Sequence, residues 1–559
     1  MHMRRADTKS VTVVTLQQIH VDPDLTFPVF LRAITEQHGD RTALVFGDES
    51  WTYRRLYEEV TKFEAALIGL GAGKGTRVAL LMGGRPEWVV ACFATMSIGA
   101  VCIPLSTYEP AVKRHQLLRH ADASILILQD RLLRHAYLDD LVEAFPGLAG
   151  SEPFYDPRLP YLRHVVHVGD GAVGGQVIGW DDLLARAPGL SPEYLRALED
   201  EIHPTDDSLV IYTSGTSGPS KGVIHTHRSV RVQFDRLPDM FSLRPDDVIW
   251  GTYPLFWSAG VAWVLGSAIA SGATLVMQEW FDPAEAVRLI EKCGITVIHV
   301  TPPQLTQIEE VLDENPADLS SLRIFPRAAL AGYTDLPPDR PFGGASLGLT
   351  EALTLAAAIP WDSPVELRTS THGRPLPGMR FKIVDQETGE ELPPNTFGEI
   401  VFKGTGLMRG YHKVFPEDYL DAEGFYHTND GGYLDEDGYL HWTGRMSAII
   451  RTNAANVSPG EVESALYENP DVRITSVIGV PDAAVGEAIV AVVVPRDGAS
   501  LTEDGVKAYL KDRLASYKIP RQIFFVEESD LQMTATSKPV LSHVKALVDA
   551  RLSGSKVGY

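Results

Sequence analysis

The sequence predicts an α/β protein with largely parallel sheets and more than one domain. Three observations lead there. Short apolar runs that read as buried strands alternate with stretches of helical spacing in the N-terminal part of the chain, as in strand–helix–strand units. At 559 residues the chain exceeds what a single core holds. A string of hydroxyls and glycines with one lysine, Thr213 to Gly222, joins two of the apolar runs.

Ala43 to Phe46 and Trp51-Thr52-Tyr53 read as short strands around the turn Gly47-Asp48, after a variable lead-in of about 25 residues. Leu56 to Leu70 has helical apolar spacing. Val78 to Met82 reads as a strand, Trp88 to Ile98 as a buried helix, and Gly99 to Leu105 as another strand. Gly71-Ala72-Gly73-Lys74-Gly75-Thr76 superficially suggests a phosphate loop, but its spacing is wrong and a tight turn is expected. Residues 140 to 200, rich in Pro and Gly, read as a connecting segment with short helices.

Composition excludes several function classes. A net charge of −23 argues against nucleic acid as a partner, because phosphate backbones are met by basic patches. Cys92, Cys102 and Cys293 lack metal-ligand spacing and read as reduced core residues of a cytoplasmic protein. Met1 to Arg5 is charged and no apolar region follows, so no secretory leader is expected. Val248 to Gln278 carries no charge, yet its glycines and Pro254 break it. A helix, a turn at Ser271-Gly272 and a strand from Thr274 to Met277 are expected there, and not a membrane span.

The apolar run Leu209 to Tyr212 leads into Thr213-Ser214-Gly215-Thr216-Ser217-Gly218-Pro219-Ser220-Lys221-Gly222, and Val223-Ile224 forms a second strand. Glycines let backbone N–H groups close on an anion, hydroxyls donate further bonds, and lysine adds a point charge. Lys221 precedes Gly222, so this is not the Walker spacing. His225 and His227, two apart on a strand, would share a face. Metal is conceivable there, but no third ligand lies nearby.

This string resembles the phosphate loop of the adenylate-forming (AMP-binding) superfamily, which includes acyl-CoA synthetases, peptide-synthetase adenylation domains and luciferases. Ser217 stands where a second Thr is usual and Ser220 where Pro is usual. Further stretches resemble the superfamily in the right order, from about residue 43 to 545. They are Thr226-His227, Tyr253-Pro254-Leu255-Phe256-Trp257, Thr301-Pro302-Pro303, Ala331-Gly332-Tyr333, Leu347-Gly348-Leu349-Thr350-Glu351 and Gly404 to Tyr411. Gly424 to Asp430, Gly444-Arg445 and Met533 to Lys538 complete the series.

The resemblance implies a large N-terminal domain of α/β layers with a small barrel-like part, residues 1–444. A small mobile α+β domain, 445–559, would carry the lysine that completes the site. It implies ATP, Mg²⁺ and coenzyme A as cofactors and a small-molecule carboxylic acid as substrate. Thr213, Ser214, Gly215, Thr216, Ser217, Gly218 and Lys221 would cradle ATP, with Thr216 also assisting catalysis. Gly348 and Thr350 would flank Glu351, the metal ligand, because a carboxylate beside triphosphate is useful only with a bridging cation. Asp430 would accept the ribose hydroxyls, which suits a group with two acceptor oxygens. Arg445 would contact ribose or phosphate. Lys538 would reach the α-phosphate on closure. Trp257, Thr301, Gly332, Tyr333 and Leu347 would line the acyl pocket. The 253–260 segment has no Asp, so an α-amino acid is disfavoured.

Three departures bear on the second half-reaction. Ala448 stands at the hinge, Ala454 replaces a glycine that lets pantetheine approach, and Ser537 replaces the glycine before Lys538. The acceptor is therefore open between coenzyme A, an acyl carrier protein, an amine and nitrite activation for diazotisation. A non-catalytic nucleotide-binding homologue is the other alternative. Oligomeric state is left open.

Overall fold

The protein is described by a computed structural model covering residues 26–170, 174–213, 220–325, 346–448, 450–452, 455–482, 485–533 and 539–552. Its contacts divide it into two compact units. One comprises 1–379 with 404–416, the other 380–403 with 417–559. The 444–445 hinge expected from the resemblance falls within the second unit and is retained below as a proposal.

The first unit is built on two sheets. The larger has eight strands in the order Gly410–Tyr411, Gly222–Thr226, Asp207–Tyr212, Val101–Pro104, Arg77–Leu81, Ile125–Gln129, His164–Val168 and Val177–Gly179. From Asp207–Tyr212 onward every pairing is parallel; the two pairings at the other edge are antiparallel. The second sheet has the order Val297–His299, Val248–Gly251, Thr274–Met277, Thr42–Phe46 and Glu49–Thr52. A three-stranded sheet, Leu347–Leu349, Thr354–Ala358 and Arg374–Pro375, follows later in the chain.

The helices follow from burial pattern. Tyr53–Gly69 starts where the Thr52 side chain accepts from the Arg55 N–H at 3.1 Å. Its Leu56, Val60, Phe63 and Leu67 recur at helical spacing and are fully buried. Tyr53, expected in the preceding strand, instead opens this helix, and its hydroxyl donates to the Ala273 carbonyl at 2.7 Å. Pro86–Ser97 is buried all round, as an evenly apolar helix must be. The 71–76 segment is a turn: Gly71 and Gly75 have positive φ, and Lys74 pairs with Asp206 at 2.8 Å.

Residues 140–200 do more than connect. His164–Val168 and Val177–Gly179 extend the large sheet, because parallel pairing is set by distant partners and leaves little local signal. The uncharged 248–278 stretch forms a strand, a π-helix over Ala259–Gly266, a short helix ending at Gly272 with φ 71°, and a strand. Among the described residues no helix is long and apolar enough to cross a membrane. Cys92, Cys102 and Cys293 are free thiols; the first two are buried and the third is half-buried.

The second unit holds a four-stranded sheet, Met379–Val384, Gly398–Gly404, Tyr426–Leu434 and Leu440–Arg445, of which only the end residues Met379 and Gly404 count with the first unit. The rest of the second unit is a five-stranded sheet centred on Gly486–Pro495, packed with Pro459–Tyr467, Glu503–Lys511 and Leu541–Leu552. Ile489, Ala491 and Val493 join one core; Val490, Val492 and Val494 join the other. Both faces are covered, which explains the unbroken apolar run.

Burial makes several histidines neutral. His227, capped behind Thr226 at the start of its helix, accepts from the Phe27 N–H at 3.3 Å, and desolvation pulls its pKa down to about 4. The folded state then refuses a proton that the unfolded chain takes below pH ~6.5. Stability present above that pH is lost as pH falls toward 4, by on the order of 3 kcal/mol for such a shift. His227→Asn keeps an acceptor near the same place. Its denaturant midpoint should fall less steeply than wild type between pH 6.5 and 4.

Candidate active site

The phosphate-loop string begins on an antiparallel hairpin. Asp207–Tyr212 pairs with Gly222–Thr226, with Tyr212 opposite Gly222. The Thr213 N–H donates to the Lys221 carbonyl at 3.0 Å and closes the neck. Ser214, Gly215, Thr216, Ser217 and Gly218 lie outside the described residues. Lys221 is exposed, its Nζ 4.8 Å from the centre of the Tyr411 ring.

Two distant segments, 408–411 and 350–351, are locked to this hairpin. Gly410–Tyr411 adds to its outer strand, with Val223 opposite Tyr411. Arg409 grips Asp207 in a two-pronged pair at 2.5 and 2.8 Å, and its N–H donates to the Ile224 carbonyl at 2.8 Å. The Met408 N–H donates to the Glu351 carbonyl at 2.7 Å. The Tyr411 hydroxyl donates to Glu351 Oε1 at 2.5 Å. On the hairpin itself, His225 Nε2 lies 2.8 Å from the Thr350 carbonyl, so Nε2 carries the hydrogen. Burial lowers the His225 pKa to about 4, so it stays a neutral donor.

His225 and His227 do not share a face: one lies in the strand and the other begins a helix. No group of three or more possible His, Cys, Asp or Glu ligands occurs among the described residues. Glu351 is buried at 9% exposure, in a short turn after the Leu347–Leu349 strand. A Cβ at Gly348 would meet the Thr354 carbonyl at 2.7 Å. One Glu351 oxygen is held by Tyr411, leaving Oε2. A lone carboxylate suits a hard cation that keeps its waters and takes its other ligands from phosphate, which is the habit of Mg²⁺.

The expected pocket residues are partly brought together. Trp257 is half-buried, its ring 6.3 Å from that of Tyr108. Thr301 donates to Gln304 at 2.7 Å, and Leu347 is buried. Gly332 and Tyr333 lie outside the described residues. The Tyr253–Gly260 segment folds tightly: a Cβ at Gly260 would sit 1.9 Å from the Pro254 carbonyl oxygen. Beside it opens a cleft of about 140 Å³, walled by Tyr108, Tyr253, Phe256, Glu279 and Trp280. The sequence carries no sign of Tyr108, Glu279 or Trp280 in this role, because they come from separate loops.

Asp430 and Arg445 belong to the second unit. They face each other across paired strands, with Arg445 Nε 3.3 Å from Asp430 Oδ1. Asp430 is buried at 3% exposure, and its N–H donates to the Thr428 hydroxyl at 2.9 Å. Arg445 also donates to the Thr428 carbonyl at 2.7 Å. Ala448 ends a short turn after Arg445. Ala454, Ser537 and Lys538 lie outside the described residues.

The AMP-binding enzyme family matches residues 31–412, and the AMP-binding enzyme C-terminal domain matches 461–538. The chain belongs to the AMP-binding enzyme family. This AMP-binding enzyme is 33% identical to the 3-(7a-methyl-1,5-dioxo-octahydroinden-4-yl)propanoyl:CoA ligase of Mycobacterium tuberculosis, over 90% of this chain and 95% of that one. It is 29% identical to the indoleacetate–CoA ligase of Aromatoleum aromaticum, over 91% and 95% of the two chains. In structure it resembles an anthranilate CoA ligase in complex with anthranoyl-AMP (TM-score 0.80, 24% identity, 95% and 98% covered). It also resembles the amide bond synthetase of Marinactinospora thermotolerans (TM-score 0.73, 27% identity, 93% and 99% covered). The enzyme is an AMP-forming ligase of the acyl-CoA synthetase kind.

The Tyr411 hydroxyl is the direct tie between the 404–411 segment and the buried Glu351 carboxylate. Tyr411→Phe should cost about 2 kcal/mol, the usual worth of a hydrogen bond to a charged group. Equilibrium denaturation would read it; a cost near zero would mean that backbone pairing alone holds Glu351.

Proposed function

We propose that this enzyme activates a small carboxylic acid with ATP and passes the acyl group to coenzyme A. The observation that carries the reading is the tie of Thr350-Glu351 to the phosphate-loop hairpin through His225 and Tyr411. It supports the reading because it ties the expected metal ligand to the strands that flank the expected phosphate loop.

In the first step a carboxylate oxygen of the acid attacks the α-phosphorus of ATP. The bond to the β-phosphate oxygen breaks, pyrophosphate leaves, and an acyl-adenylate forms. Thr213 to Gly218 donate to the phosphates and Lys221 adds charge. Mg²⁺ held by Glu351 would neutralise phosphate charge when bound. Asp430 accepts from the ribose diol, and Arg445 steadies Asp430 while presenting donors of its own. Lys538 meets the α-phosphate when the C-terminal part, from 445 onward, closes. Most of the catalysis is positioning and electrostatic stabilisation.

In the second step the coenzyme A sulfur attacks the acyl carbonyl carbon, the thiol gives up its proton, and AMP leaves. The aromatic cleft beside Tyr253–Phe256 suits a ring-bearing acid or the arm of the acceptor. Relatives named for indoleacetate and for a bicyclic dioxo acid support a ring-bearing substrate. A second reading has an amine as acceptor. Ala448, Ala454 and Ser537 favour it, as does likeness to an amide bond synthetase.

The test is pyrophosphate release from ATP across aryl, bicyclic, short and long acids, each with and without coenzyme A. Release with a ring-bearing acid, accelerated by coenzyme A and yielding thioester, is expected. Release indifferent to coenzyme A but raised by an amine would select the second reading. Lys538→Ala should slow the adenylation step by about 100-fold or more while ATP still binds. ATP binding without release for any acid would overturn adenylation.

A further inference from the structure

Asp430 stands on a break in its strand. In the four-stranded sheet of the second unit, Glu399 pairs with Gly431 and Val401 with His427. Ile400 alone therefore faces Thr428, Asn429 and Asp430 together, so the Tyr426–Leu434 strand bulges there by two extra residues. A bulge re-aims a side chain and takes backbone groups out of the ladder.

The groups released by this bulge find side chains instead. The Asn429 N–H donates to Glu399 Oε1 at 2.8 Å. The Asp430 N–H donates to the Thr428 hydroxyl at 2.9 Å, which in turn donates to the Ile400 carbonyl at 2.6 Å. The other Glu399 oxygen accepts from His427 Nδ1 at 3.0 Å. Asn429 turns the chain at φ 57°, a left-handed conformation that Asn tolerates better than most residues.

Glu399 is 3% exposed, and a carboxylate is costly to bury. Both its oxygens go to the two residues that flank Thr428, just ahead of Asp430. From the neighbouring strand Arg445 reaches Asp430 itself, with Nε 3.3 Å from Oδ1. Arg445 thus holds the head of the Asp430 side chain, and Glu399 holds the backbone that carries it.

We propose that Glu399 is a positioning residue for the nucleotide: by anchoring His427 and Asn429 it fixes the direction of the Asp430 carboxylate, and with it the selection of a ribose that has both hydroxyls. This rests on the reading above in which Asp430 accepts from the ribose diol. A carboxylate has an acceptor oxygen for each hydroxyl, and it meets both only from one direction. Without its anchor the bulge keeps the aspartate and loses the aim.

The test measures by calorimetry, on the full chain with Mg²⁺, the affinities for ATP, 2′-deoxy-ATP and 3′-deoxy-ATP. Wild type should bind ATP about tenfold or more tighter than either deoxynucleotide, because a site built to pair a hydroxyl rejects the analogue lacking it. Glu399→Met, similar in length and without acceptors, should bring that ratio to about twofold or less, chiefly by weakening ATP. Glu399→Gln should keep the ratio, since its amide oxygen accepts from the Asn429 N–H and its NH₂ donates to His427. Glu399→Asp is one methylene too short to span both partners and should lose at least half of the ratio; it decides the matter where the methionine variant does not fold. A merely structural Glu399 would lower the thermal midpoint and weaken all three nucleotides alike. A ratio that survives Glu399→Met and Glu399→Asp but is lost in Asp430→Ala overturns the positioning role and leaves the ribose reading standing. A wild-type ratio near one overturns the ribose reading and this inference with it.

Discussion

Much of what this chain is expected to do with a nucleotide depends on two segments, far apart in sequence, being held against one hairpin. The outer strand Gly222–Thr226 does the holding. It pairs with Gly410–Tyr411 along its edge and sends His225 inward to the Thr350 carbonyl. Tyr411 then closes the loop by donating to Glu351. Each bond alone is worth little. Together they fix the Glu351 carboxylate relative to the hairpin that carries Lys221. Arg409 on Asp207 adds a charged clamp at the same edge. A loop of glycines and hydroxyls can adapt to its ligand, whereas a carboxylate proposed to hold a metal would be useful only in one place, and that is where the rigidity sits.

That arrangement was partly legible. The hairpin strands could be read because an apolar run on each side of a polar string is a local pattern. Glu351 and Asp430 came only through their order in a series of motifs, since a lone Thr-Glu or Asp carries no signal. The tie between Tyr411 and Glu351 was invisible, because it joins residues 60 apart through side chains. His164–Val168 and Val177–Gly179 were missed for a related reason. Their partners are strands that arrive by long crossovers, and nothing inside a five-residue run with two histidines announces a buried position. Tyr53 was misassigned because an aromatic after Trp51-Thr52 extends a strand pattern, while Thr52 acts as a cap.

The histidines make a second point about reading polar residues in apolar runs. Sequence offered His225 and His227 as a conceivable metal pair. The fold separates them and gives each a backbone partner: His225 donates to Thr350, and His227 accepts from Phe27. Each makes one backbone bond; Nε2 of His227 stays without a partner among the described residues, as do both ring nitrogens of His299. The contrast is physical. All three are fully buried and held neutral by desolvation, so burial alone does not mark function. Pairing is a tertiary property that spacing cannot disclose.

The same logic explains how an acidic protein can select among acids. A net charge of −23 repels carboxylates at long range, so recognition cannot come from overall attraction. It has to come from local, dry contacts, where short-range forces outweigh screened ones. The first unit supplies those in two kinds. Lys221, beside the Tyr411 ring, offers charge where phosphate is expected. The cleft offers aromatic walls, and the rings next to it hide a few polar atoms. Aromatic walls accept many ring-shaped bodies at similar cost, because their gain follows buried area.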